Sequence, residues 1–75
     1  MVIKVEFRGG LGGKFPNGFY EPDNVITVKQ LLEYFDLSTS VSVNSVFMNH
    51  NFVKDLDVEI KDGDLVMFMG HVGGG

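Results

Sequence analysis

Only one stretch of the chain repeats with a helical period. In TVKQLLEYFD, residues 27–36, Val28, Leu31, Leu32 and Phe35 recur at i, i+3, i+4 and i+7, which places them in one stripe along a short helix. Thr27 precedes the stripe and Gln30 follows three residues later, the spacing of a capping box, with Ile26 and Leu31 placed for a hydrophobic staple. This predicts a helix from Val28 to Asp36. Everywhere else, apolar residues alternate or stand in short runs between turn residues. A chain of 75 residues has no room for a second domain, so a single helix must bury its stripe against a single sheet.

The strands follow from period two. In VIKVEFR, Ile3, Val5 and Phe7 fall on one face and Lys4, Glu6 and Arg8 on the other, which reads as a strand buried on one side. Residues 9–24 hold five of the ten glycines and both prolines. They read as connection, with a short strand at Phe19–Glu21 and a turn at Asn17-Gly18. After the helix, residues 38–45 form a small polar link. Val46–Asn49 and Phe52–Val53 then suggest a strand pair around a tight turn. LDVEI, residues 56–60, fits a short strand or a helical turn. KDGD, residues 61–64, is a turn in which Gly63 supplies positive φ, and LVMFM is the final strand. The order predicts an α+β domain: a β-grasp roll with one mixed sheet of four to five strands and one helix across it. The β-grasp domain would span residues 1–70, followed by a flexible C-terminal tail of residues 71–75.

Composition narrows the function classes. The chain has no cysteine, so no disulfide supplements a small core and no cysteine cluster binds metal. A thiol-free chain with no signal-like N-terminus and no apolar run near ~20 residues implies a cytoplasmic, soluble protein without membrane association. Ten acidic residues against six scattered basic ones give a net charge of −4. That balance argues against nucleic acid as a partner and suits steering toward a basic face on another protein.

Motifs for enzymatic chemistry fail one by one. GGLGGK, residues 9–14, has Arg8 where a P-loop needs glycine and Phe15 where it needs Ser or Thr; a dinucleotide fingerprint fails at Phe15 as well. It reads as a flexible loop. His50 and His71 are the two histidines and have no third ligand at metal-site spacing, so no metal site is expected. Ser38, Ser40, Ser42 and Ser45 stand in the polar link with no base to activate them. The acidic run Asp55, Asp57, Glu59, Asp62 and Asp64 lacks the ligand order of a calcium loop and reads as a solvated edge. No catalytic residue is assigned.

Two features remain. The final strand is apolar on both faces. If Val66 and Phe68 point inward, Leu65, Met67 and Met69 make an outer stripe beside Phe47; such a stripe fits a partner-docking surface, to which methionine brings adaptable contacts, and equally a face covered by the roll's own wrapping or by a second copy of the chain. The second feature is the glycine run Gly73-Gly74-Gly75. Without a Cβ, an extended glycine segment fits a channel that any side chain would block. From His71 to Gly75 it could reach about 17 Å beyond the domain. A free carboxylate is inert toward nucleophiles, but adenylation by ATP turns it into a mixed anhydride open to sulfide or an amine.

Taken in order, VITVKQLLEYF, VFMNHNFV and IKDGDLVMFMGHVGGG resemble the small sulfur-carrier proteins of the ThiS and MoaD type. The shared features are the Thr-capped helix, the Asn49 turn, the 61–64 turn and the terminal Gly74-Gly75, across roughly residues 25–75. The resemblance implies a ubiquitin-like β-grasp fold. It further implies that Gly75 is adenylated by a ubiquitin-activating-type partner enzyme, which uses ATP and Mg, and becomes a thiocarboxylate. Sulfur would then pass to an accepting synthase in thiamine or molybdopterin synthesis. Gly74 would thread the partner's active site, and Gly73 would add reach. The chain itself would be a carrier, not an enzyme, with no tightly bound cofactor. A Val-Gly-Gly-Gly ending is similar to thiamine carriers, whereas the long 9–24 connection departs from their tight first hairpin. Two alternatives use the same tail differently: a ubiquitin-like modifier joined through Gly75 to lysine, or an interaction domain whose tail is incidental.

Overall fold

The structure, a computed structural model, describes residues 1–13, 15–37 and 43–70. In chain order these form β1 (Ile3–Arg8), a 3-10 turn (Gly9–Leu11), β2 (Gly18–Tyr20), α1 (Val28–Tyr34), β3 (Val43–Met48), β4 (Asn51–Phe52) and β5 (Leu65–Gly70). The strands make one mixed five-stranded sheet in the order β2-β1-β5-β3-β4. β1 and β5 are parallel neighbours; every other neighbouring pair is antiparallel. The β-grasp expectation holds, with α1 laid against the sheet face that carries the core.

The sheet is two-sided because its strands alternate. Ile3, Val5 and Phe7 of β1, Val46 of β3 and Val66 and Phe68 of β5 are buried, and Val28, Leu31, Leu32 and Phe35 of the helix meet them in one core. The ring of Phe35 is its hub, with ring centroids of Phe7 at 5.1 Å, Phe15 at 5.3 Å, Tyr20 at 5.1 Å and Phe68 at 6.2 Å. Edge-on packing of this kind adds to what area burial alone contributes.

The helix start is satisfied twice over. Thr27 Oγ1 accepts from Gln30 N at 3.2 Å and Gln30 Oε1 accepts from Thr27 N at 3.1 Å, which completes the expected capping box. The next two donors of the first turn, Val28 N and Lys29 N, reach the carbonyls of Val58 and Leu56 at 3.1 and 2.9 Å. LDVEI is therefore not one continuous strand: Val58 N donates to Asp55 O at 3.1 Å across a turn at Leu56 and Asp57, and Glu59 makes a single antiparallel bridge with Thr27. It is a strap whose carbonyls receive the orphan N–H groups that any helix leaves at its start. Ile26, expected in a staple, stands 58% exposed and contributes little to one.

The helix ends earlier than its periodicity predicts, at Tyr34. Asp36 takes φ 59°, Asp36 N donates to Glu33 O and Leu37 N donates to Leu32 O. This is a Schellman closure with Asp where glycine is usual, and the buried pair Leu32 and Leu37 supplies the apolar contact that accompanies it.

Two connections differ from their sequence reading. Residues 9–13 of GGLGGK are anchored rather than loose: Leu11 is fully buried, and beyond the segment Phe15 packs on Phe7 with centroids 5.1 Å apart. Asn17 Oδ1 accepts from Phe7 N at 2.7 Å, so a side chain closes the β1–β2 connection by taking a backbone donor. β3 begins at Val43, before the expected Val46, and takes in part of the polar link. A register shift between Val43 and Ser45 accompanies that start. Ser38, Ser40 and Ser42 lie outside the described residues, as does the expected tail with Gly73, Gly74 and Gly75.

Candidate functional site

The sheet face away from the helix is the candidate site. On β5, Val66 and Phe68 are fully buried while Leu65, Met67 and Met69 are half-buried on the other side. Register then fixes the neighbours. Met67 stands opposite Phe47 on one flank and Glu6 on the other. Leu65 is opposite Lys4, and Met69 lies between Arg8 and Ser45. Phe47, Leu65, Met67 and Met69 are thus brought together as the sequence suggested.

Two further groups on this face escaped the sequence reading. Phe52 of β4 pairs with Phe47; its ring lies 5.7 Å from that of Phe47 and is 56% exposed. Its signal was period two across the hairpin, which puts positions 47 and 52 on one face once the two-residue turn is fixed. The other group is the charged row of β1. Glu6 Oε1 accepts from Arg8 Nη2 at 2.9 Å, and Glu6 Oε2 lies 3.7 Å from Lys4 Nζ. The Arg8 hydrogen bond holds the Glu6 carboxyl below its usual pKa; burial opposes this, while the charges of Arg8, Lys4 and His50 reinforce it. The open face therefore runs from cations on β1, through methionine on β5, to aromatic rings on β3 and β4.

A polar clamp sets one end of this face. Met48 and Asn51 pair around the two-residue turn Asn49-His50, where φ is 52° and 70°. Positive φ at both positions is what a tight hairpin of this length needs. Asn49 then reaches across to β5. Its N–H donates to Leu65 O at 2.8 Å, its Oδ1 accepts from Leu65 N at 3.0 Å, and its Nδ2 donates to Asp64 Oδ1 at 3.0 Å. Asp64 Oδ2 also accepts from Lys61 N at 2.8 Å, closing the 61–64 turn, and Gly63 sits there at φ 87° as expected. Asn49→Ala removes two side-chain hydrogen bonds and puts a β-carbon residue with no local partner at positive φ. We expect it to cost about 1–3 kcal/mol in urea unfolding and to loosen the Leu65 end of the face in amide exchange. Beside this turn, Met48, Phe52, Val53 and Val58 line an open groove of about 320 Å³.

Among the described residues, no group of His, Asp and Glu side chains stands close enough to hold a metal ion, and no helix is long and apolar enough to cross a membrane. What these residues display is an open face of half-buried apolar side chains flanked by charges. The family model described as "ThiS family" matches residues 17–75, well over half of the chain. The chain belongs to the ThiS family. Among solved structures, it is similar to a chain in the protein–protein complex of subunits 1 and 2 of molybdopterin-converting factor from Helicobacter pylori 26695, with a TM-score of 0.70 and 25% identity over 100% of both chains. None of the curated proteins matches. The ThiS/MoaD-type resemblance read from the helix, the Asn49 turn and the glycine ending is thereby established.

Proposed function

We propose that this ThiS-family chain is a sulfur carrier in cofactor biosynthesis, with Gly75 as the carrying residue. The observation that carries the reading is the extent of the family match, which runs through the turn, the final strand and the glycines to residue 75. The Gly75 carboxylate attacks the α-phosphorus of ATP on an adenylating partner and pyrophosphate leaves. Hydrosulfide then attacks the acyl carbon, the bond to the phosphate breaks so that AMP leaves, the proton on sulfur goes to solvent, and Gly75 ends as a thiocarboxylate. Gly74 and Gly73 supply a segment without side chains that can enter a narrow channel. The domain contributes recognition and a fixed root for that segment, not catalysis.

The choice of pathway leans on residues 1–16. The ThiS family match starts at residue 17 and so omits β1 and the first half of the 9–24 connection after it. The molybdopterin-converting-factor chain is matched end to end, those residues included. On that ground we favour a molybdopterin-type acceptor over a thiamine-type one. Incubation of the purified chain with an adenylating enzyme, ATP and a sulfur source should raise its intact mass by the exchange of one oxygen for sulfur at Gly75. Conjugates to lysine of other proteins would instead identify a modifier, and an unchanged mass would defeat the reading.

Docking is assigned to the open face. Leu65, Met67, Met69 and Phe47 supply an apolar centre that is half-exposed among the described residues, and Phe52 extends it. Met67→Glu sets a charge in the middle of that centre without touching the helix-facing core. It should weaken binding to an adenylating enzyme or synthase by at least about tenfold, while the melting temperature stays near that of the parent. Unfolding of this variant would mean that Met67 supports the core instead.

A further inference from the structure

Net charge alone points this acidic chain toward a basic partner, but the charges are not spread evenly. Of the ten acidic residues, Glu6 is the one that projects from β1 among the open-face side chains, and it is already engaged by Arg8 at 2.9 Å and Lys4 at 3.7 Å. Asp55, Asp57 and Glu59 belong to the strap beside the helix start, and Asp62 and Asp64 to the turn before β5. Asp62 and Asp64 accept from the backbone N–H groups of Val2 and Lys61. Along β1, then, two cations share one carboxylate. Their side chains are 48% and 52% exposed, against 15% for Glu6, so the cations face solvent while the anion lies low between them.

We infer that the partner docking on the open face presents carboxylates to Lys4 and Arg8, around an apolar patch that covers Met67 and Phe47. The inference rests on the docking-face reading above and adds the sign of the partner's rim. The register carries it: Lys4, Glu6 and Arg8 stand directly beside Leu65, Met67 and Met69, so anything covering the methionines must meet the row. Exposed ion pairs contribute little by themselves, and the Glu6 pairs can therefore yield to partner carboxylates at small cost. Each cation also keeps N–H donors that a single carboxylate between them leaves free. The field of the remaining acidic surface then orients the encounter, turning the β1 flank toward an acidic rim and the rest of the molecule away from it.

The test measures association rates of the full chain with the other subunit of the Helicobacter pylori complex, at low and high salt, by stopped flow. Arg8→Glu and Lys4→Glu should each slow association about tenfold at low salt, with the difference shrinking as salt rises. Glu6→Lys should speed it. The opposite signs are decisive, because loss of structure would slow all three; melting temperatures serve as the control. Slower association for Glu6→Lys, or faster association for Arg8→Glu, would show a basic rim and overturn the inference, as would three unchanged rates or no binding by the parent chain. Met67→Glu run alongside separates the two claims: if it binds like the parent, the docking face itself is misplaced, whatever the charge variants do.

Discussion

A chain lacking Gly74 and Gly75 is expected to fold and melt like the full chain, yet to gain no sulfur when incubated with adenylating enzyme, ATP and sulfide. The core explains the first half. Among the described residues, every buried apolar side chain lies between Ile3 and Phe68, and the ladders that hold β5 involve residues no later than Gly70. Chemistry explains the second half, since each residue lost draws the terminal carboxylate back by about 3.4 Å and leaves a bulkier residue nearer the entrance to any narrow channel. The truncated chain keeps Met67, Phe47 and the cation row, so it should also compete with the full chain for the partner. Intact mass and a competition titration read these outcomes together. Sulfur gain by the truncated chain would sink the assignment of Gly75. Loss of competition would separate the tail from the docking face in a different way, by showing that the tail supplies much of the affinity.

The second large effect concerns Phe35. Its ring meets Phe7, Phe15, Tyr20 and Phe68, and the residue is 6% exposed. Phe35→Ala leaves a hole bordered by aromatic rings that cannot all collapse into it, and large-to-small changes of this kind cost about 3–5 kcal/mol. A core in a domain this small supplies on the order of 3–5 kcal/mol in total. The variant should therefore be substantially unfolded at 25 °C, with flattened near-UV circular dichroism and rapid amide exchange throughout. Phe35→Leu keeps much of the volume and should fold with a lowered melting temperature. A cooperative transition for Phe35→Ala close to the parent's would show that the rings repack without it.

The architecture was legible because local signals agreed with one another. Val28, Leu31, Leu32 and Phe35 marked the helix face, Thr27 and Gln30 marked its start, and the alternation in β1 and β5 marked which side chains turn inward. Because both faces of β5 are apolar, the open-face residues of the candidate site were legible too, as soon as Val66 and Phe68 were placed toward the helix. What escaped depends on non-local hydrogen bonds. Residues 56–60 alternate like a strand, but their carbonyls are taken by the helix start, a demand that nothing within LDVEI encodes. GGLGGK looked slack because glycines dominate it, although Leu11 and Phe15 pin it to the core. Phe52 and the exposed cations of β1 became part of the site through strand order, and pairing across the sheet has no signature inside a single strand.

The placement of β5 has a kinetic consequence. It lies between β1 and β3, and its partner Lys4 is roughly 60 residues away from Leu65 along the chain, so the central ladder forms only after a long loop is closed. Folding dominated by such distant pairings is slow compared with that of helical domains of the same size. Until residues 65–70 slot between the two strands, Met67 has no neighbours to form a face with and the residues after Gly70 have no fixed root. On the proposed function, the recognition surface and the root of the glycine run would therefore come into being in one step. A partner that gripped the open face would then select molecules that have finished folding, and an unfinished chain would be passed over before any ATP is spent on it.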